Sequence, residues 1–68
     1  MEETAVILQS VLSELPMEQR EAVTLRIWGQ MTFDEIGSTV GVPTKTAESR
    51  YRYGLQKLRE AMRPITKG

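Results

Sequence analysis

Cysteine and histidine are both absent from this chain of 68 residues. Without thiols there is no disulfide scaffold and no thiolate metal site. Without imidazole, the commonest metal ligand and the commonest general base are missing together. Long apolar runs are lacking too: the longest, Ala5-Val6-Ile7-Leu8, falls far short of the ~20 residues that a membrane span requires. The opening residues are glutamates, not the cations of a secretory signal. No carboxylate is accompanied by a base, a metal-ligand cluster or a glycine-rich phosphate loop. The expectation is a soluble, cytoplasmic protein that is not an enzyme, with no metal, no cofactor, no membrane segment and no small-molecule substrate.

What is present is charge, unevenly placed. Up to Val42, two arginines stand against seven carboxylates, a net of −5; from Pro43 onward, seven cations stand against two glutamates, a net of +5. The overall zero therefore conceals an acidic portion and a basic one, a split that suits a face aimed at a polyanion. A basic but merely solvated helix is the plainer explanation of the same counts.

Hydrophobic spacing predicts four helices, at about 2–15, 17–28, 32–40 and 44–62, and no strand. In the first, Ala5, Leu8, Val11, Leu12 and Leu15 form the stripe, with Glu2 and Glu3 in the turn where the helix dipole favours negative charge. Pro16 forces a boundary and starts the second helix. There Ala22, Val23, Ile27 and Trp28 are expected inside, and Gly29 is the expected left-handed stop. Thr32-Phe33-Asp34-Glu35 has the form of a capping box. Phe33, Ile36 and Val40 face inward, and Gly41 ends the third helix. The fourth carries Ala47, Tyr51, Leu55, Leu58 and Met62 on one face. Pro64 is expected to close it, leaving Ile65 to Gly68 as a frayed tail.

The expected architecture is an all-α, four-helix single domain over 1–68 with a C-terminal helix-turn-helix. Such a turn needs a small residue where its helices touch and a sharp chain reversal. Gly37 and Gly41 are spaced for those tasks, with Val42 under the turn and Pro43 fixing the start of the next helix. In a plain four-helix bundle the same glycines would merely end helices. Opposite the apolar stripe of the fourth helix lie Lys45, Thr46, Glu48, Ser49, Arg50, Arg52 and Tyr53. Arginine and lysine can pair with guanine, glutamate can accept from cytosine, and threonine can meet a thymine methyl. Hydroxyls and a helix N-terminus suit phosphate.

Four segments together resemble region 4 of sigma-70-type factors, and the extracytoplasmic-function group above all. They are Leu15-Pro16-Met17-Glu18-Gln19-Arg20-Glu21, Met31 to Gly37, Gly41 to Arg50, and Leu55-Gln56-Lys57-Leu58-Arg59. The resemblance runs from about Ala5 to Arg63. It implies a domain whose last helix recognises the −35 promoter element in double-stranded DNA while its earlier helices dock on the β-subunit flap of core RNA polymerase. An anti-sigma factor is a further implied partner. By the same resemblance Thr44, Lys45, Thr46, Ser49 and Arg50 fall where the family contacts DNA, and Gln19, Arg20 and Thr32 where it touches the phosphate backbone. The chain departs from the pattern at Glu48 and Tyr53, where a basic residue is usual, at Gly54, usually alanine, and at Pro43, often serine. Nothing resembles the region that melts the −10 element, so the chain is expected to be a domain of a longer protein or a stand-alone relative.

Two other readings fit some of these features. The output domain of a LuxR-type response regulator shares the four-helix plan and the Thr-Phe-x-Glu-Ile step. A protein-interaction module would use the acidic first helices with Trp28 and Met31 as a docking surface for polymerase or an anti-sigma factor.

Overall fold

The computed structural model describes the backbone of residues 2–67 and the side chains of residues 6–63. Its helices are α1 (Glu2–Glu14), α2 (Met17–Ile27), α3 (Phe33–Val40) and α4 (Thr44–Lys67), with no strand among the described residues. None of these helices is long and apolar enough to cross a membrane. At about 1.5 Å per residue, the 24 residues of α4 account for most of the 38 Å long dimension of the molecule. α1, α2 and α3 all pack against this one rod, and α2 also meets α3.

The core is small and built along α4. Leu15, Val23 and Leu58 are buried together, with Leu8, Val11, Leu12 and Tyr51 packed around them. Ala22, Ile36 and Ala47 complete the buried apolar side chains, and no polar side chain is buried among the described residues. The periodic stripes of the first, third and fourth helices thus face the centre. The expectations for Ala5, Glu2 and Glu3 lie outside the described side chains.

Three expectations are corrected. Gly29 is not the left-handed stop of α2; that conformation belongs to Gln30, at φ 54°. A Cβ on Gly29 would stand 2.6 Å from the Leu25 carbonyl oxygen, so glycine serves there to let the chain pass close to the last turn of its own helix. Gln30 is held beyond it by Met31 N–H donating to Leu25 O at 3.2 Å and by Arg26 Nη1 donating to Met31 O at 3.0 Å. Ile27 and Trp28 are not core residues, being 44% and 55% exposed. Trp28 continues the helical turn, its N–H donating to Thr24 O at 2.9 Å, and beside Ile27 and Trp28 the helices leave an open groove. Nor does Pro64 close the last helix, which continues to Lys67. A proline so near a helix end removes one amide donor, and the carbonyl it leaves, on exposed Glu60, can turn to water.

Candidate nucleic-acid interface

The basic helix α4 is aimed by the turn that precedes it. Thr32 caps α3 in both directions: its hydroxyl accepts from Glu35 N–H at 3.1 Å, and Glu35 Oε1 accepts from Thr32 N–H at 2.8 Å. At the other end Gly41 takes φ 82°, where a side chain would be strained. The amides of Gly41 and Val42 both donate to the Gly37 carbonyl, at 2.8 and 2.9 Å. Gly37 is buried where the turn runs into α4: a Cβ there would lie 2.6 Å from Val42 O and 3.5 Å from the backbone nitrogen of Thr44, the first residue of that helix.

Side chains then lock α3 to α4. Ile36 and Ala47 are fully buried at the crossing. The Phe33 and Tyr51 rings pack tilted at 5.5 Å between centroids, and the Arg26 guanidinium lies 4.6 Å over the Phe33 ring. The Thr44 hydroxyl donates to Asp34 Oδ1, joining the first turn of α4 to the first turn of α3. Helices α3 and α4 therefore meet through a fixed seam, and the outward side of α4 is held in one orientation.

On that outward side Lys45, Ser49 and Arg52 are exposed and follow one another at intervals of four and three, a single helical face. Thr44 and Tyr53 are exposed as well, while Thr46, Glu48 and Arg50 are half-buried. Glu48 Oε2 accepts from Arg52 Nη2 at 2.9 Å. The three residues assigned outside α4 sit differently. Gln19 is half-buried with its Oε1 enclosed and unpartnered. Arg20 is half-buried, and its Nη1 reaches Ser13 O at 3.4 Å. Thr32 is exposed, although its hydroxyl is engaged in the cap. The structure thus gathers Thr44 to Tyr53 on one rod and leaves Gln19, Arg20 and Thr32 at the starts of α2 and α3.

Periodicity did not signal Gly54 or Asp34. Gly54 is the close approach between α2 and α4, where a Cβ would stand 2.8 Å from Val23 Cγ2 and 3.3 Å from Gln19 O. Its only trace in the sequence is that glycine stands where the family has alanine. Nor did the sequence reveal an apolar groove of about 640 Å³ at the other end of α4, lined by Leu8, Ile27, Trp28, Leu55, Leu58 and Met62, with Arg59 and Arg63 at its edge.

Comparison with known proteins agrees with this geometry. Residues 11–60 match the family described as Sigma-70, region 4. The chain is 43% identical over 53 residues to the ECF RNA polymerase sigma factor SigE of Mycolicibacterium smegmatis, covering 78% of this chain and 21% of that protein. It is 36% identical over 56 residues to the RNA polymerase sigma-E factor of Streptomyces coelicolor, covering 82% and 32%. The sigma-E factor of Streptomyces avermitilis is 34% identical over 56 residues, covering 82% and 31%. The matched stretch is thus between about a fifth and a third of the length of these relatives. No solved structure matches the chain. With its capped third helix, left-handed turn and outward basic strip, the chain belongs to the sigma-70 region 4 family.

Proposed function

We propose that this chain is the −35-reading domain of an extracytoplasmic-function sigma factor, and that it acts by laying the first turns of α4 in the major groove. The observation that carries this reading is the strip Lys45, Ser49 and Arg52, exposed on the N-terminal half of a helix fixed from behind by the Asp34–Thr44 bond and the Phe33–Tyr51 contact. A recognition helix presents base-reading side chains from that half. Arg50 and Arg52 supply guanine or phosphate contacts; Gln19, Arg20 and Thr32, at helix starts, flank the groove for phosphate; Thr44, Thr46, Glu48 and Tyr53 complete the surface. The β-subunit flap of core RNA polymerase, and an anti-sigma factor in its place, would use the groove around Trp28 at the far end of α4. No step of this function is catalytic or requires a cofactor.

Selection of bound sequences from a random duplex pool, with and without the polymerase flap, tests the reading. A consistent motif is expected, with Arg50→Ala weakening its binding by about 1–3 kcal/mol. Unchanged affinity on neutralising Lys45, Arg50 and Arg52 together would exclude this face.

A further inference from the structure

The outward face of α4 carries one carboxylate among its cations, on the first three turns. Glu48 is half-buried, with its side chain 41% exposed, and its Oε2 accepts from Arg52 Nη2 at 2.9 Å. An exposed pair one helical turn apart contributes little to stability. The same carboxylate also subtracts from the attraction of the face for phosphate. Neither folding nor general DNA affinity therefore accounts for a glutamate at this place, which leaves the reading of bases as the role to test.

Resting on the −35 reading above, we propose that Glu48 is a specificity-determining residue that selects cytosine, and that it positions Arg52 to read an adjacent guanine. In the major groove, cytosine offers only the N4 amine, a donor; adenine sets its N6 amine beside the N7 acceptor; guanine and thymine turn acceptor oxygens toward the protein. A carboxylate is drawn most to the first, less to the second, and is repelled by the others. Arg52 occupies one oxygen of Glu48, which leaves Oε1 to accept from the base. The guanidinium has five donors, and the pair engages one of its nitrogens, so the rest of the fork is free for guanine O6 and N7. Four residues rise about 6 Å along a helix, under two base steps of about 3.4 Å each, so the two side chains can reach neighbouring base pairs together.

The test is selection from a random duplex pool with the unaltered chain, Glu48→Gln, Glu48→Ala and Arg52→Ala, followed by Kd measurement on the selected motif and its single-base variants. Both Glu48 variants keep a helix-compatible residue at that position, and running two means that the result does not depend on one of them folding. The unaltered motif is expected to hold a cytosine that neither Glu48 variant distinguishes, with discrimination there falling about tenfold. Affinity for unrelated duplex should rise in the same variants, and the preference for the adjacent guanine should weaken in them as it does in Arg52→Ala. Glu48 variants that keep the original discrimination at every base would overturn the inference. So would an even loss of affinity across all sequences. Should the unaltered chain select no motif, the −35 reading fails first and takes this one with it.

Discussion

Gly54 stands in the middle of a helix, where glycine ordinarily costs about 1 kcal/mol relative to alanine. Packing reverses that preference here. A methyl group at this position would press within 2.8 Å of Val23 Cγ2, and Val23 is fully buried and stiff about χ1. Overpacking of this kind costs about 1–3 kcal/mol, which exceeds the gain in propensity. Gly54→Ala is therefore expected to destabilise the domain by about 1 kcal/mol, a fall in Tm of roughly 4–8 °C for a domain this small. In a Val23→Ala background the same change should cost less, because the obstructing methyl is gone and only the contact with Gln19, at 3.3 Å from its carbonyl oxygen, remains. A single variant with an unchanged or higher Tm would refute the steric account. The sequence places Val23 and Ala47 in the core by their spacing, but spacing records which face is buried and not how closely two backbones approach. That is why Gly54 shows beforehand only as a departure from the family's alanine, whereas Gly37, whose neighbours Val42 and Thr44 lie close by in the chain, is legible from the turn it serves.

Helix starts were legible where the chemistry that makes them is local. The capping box at Thr32 is a four-residue pattern whose two hydrogen bonds both form, and Pro16 precedes α2 as its geometry requires. Helix ends were less so. The left-handed residue after α2 is Gln30, flanked by bonds that span five and six residues and that no four-residue pattern encodes, and α4 runs past Pro64 because a missing donor near a terminus is easily tolerated. The cap also separates two tasks that fall on one residue. Thr32→Ala removes the acceptor of Glu35 N–H and is expected to cost about 1 kcal/mol of stability. Thr32→Asp keeps a capping oxygen and favours the helix dipole, so its Tm should match or exceed that of the unaltered chain. Placed against phosphate, however, the added charge should weaken DNA binding severalfold. Equal DNA affinity for Thr32→Asp and the unaltered chain would remove Thr32 from the interface and leave it as a cap alone.

At the scale of the whole molecule, α4 presents an exposed polar strip near its start and lines an apolar groove toward its other end. The charged strip occupies Lys45 to Arg52, whereas the groove with Leu55, Leu58 and Met62 lies beyond, opened by the exposed Ile27 and Trp28. Perturbing one end should leave the other unchanged. Trp28→Ala removes a side chain already 55% exposed, so folding and DNA affinity should hold while binding of the partner proposed for that groove, the polymerase flap, weakens. At the strip the salt dependence of DNA binding measures each charge. Every duplex phosphate that a cation neutralises steepens the slope of log K against log salt by about 0.9, so deleting such a cation makes the slope shallower by the same amount. Lys45, with no carboxylate against it among the described residues, should give the full reduction on change to alanine. Arg52 is partly neutralised by Glu48 before DNA arrives, so Arg52→Ala should reduce the slope by less, and by the full amount only when Glu48 is also replaced by glutamine. Equal slope changes for the two single variants would mean that the Glu48–Arg52 pair opens on DNA and that Arg52 acts as a free cation. A Trp28→Ala variant that altered the salt slope would show that the two ends are one surface.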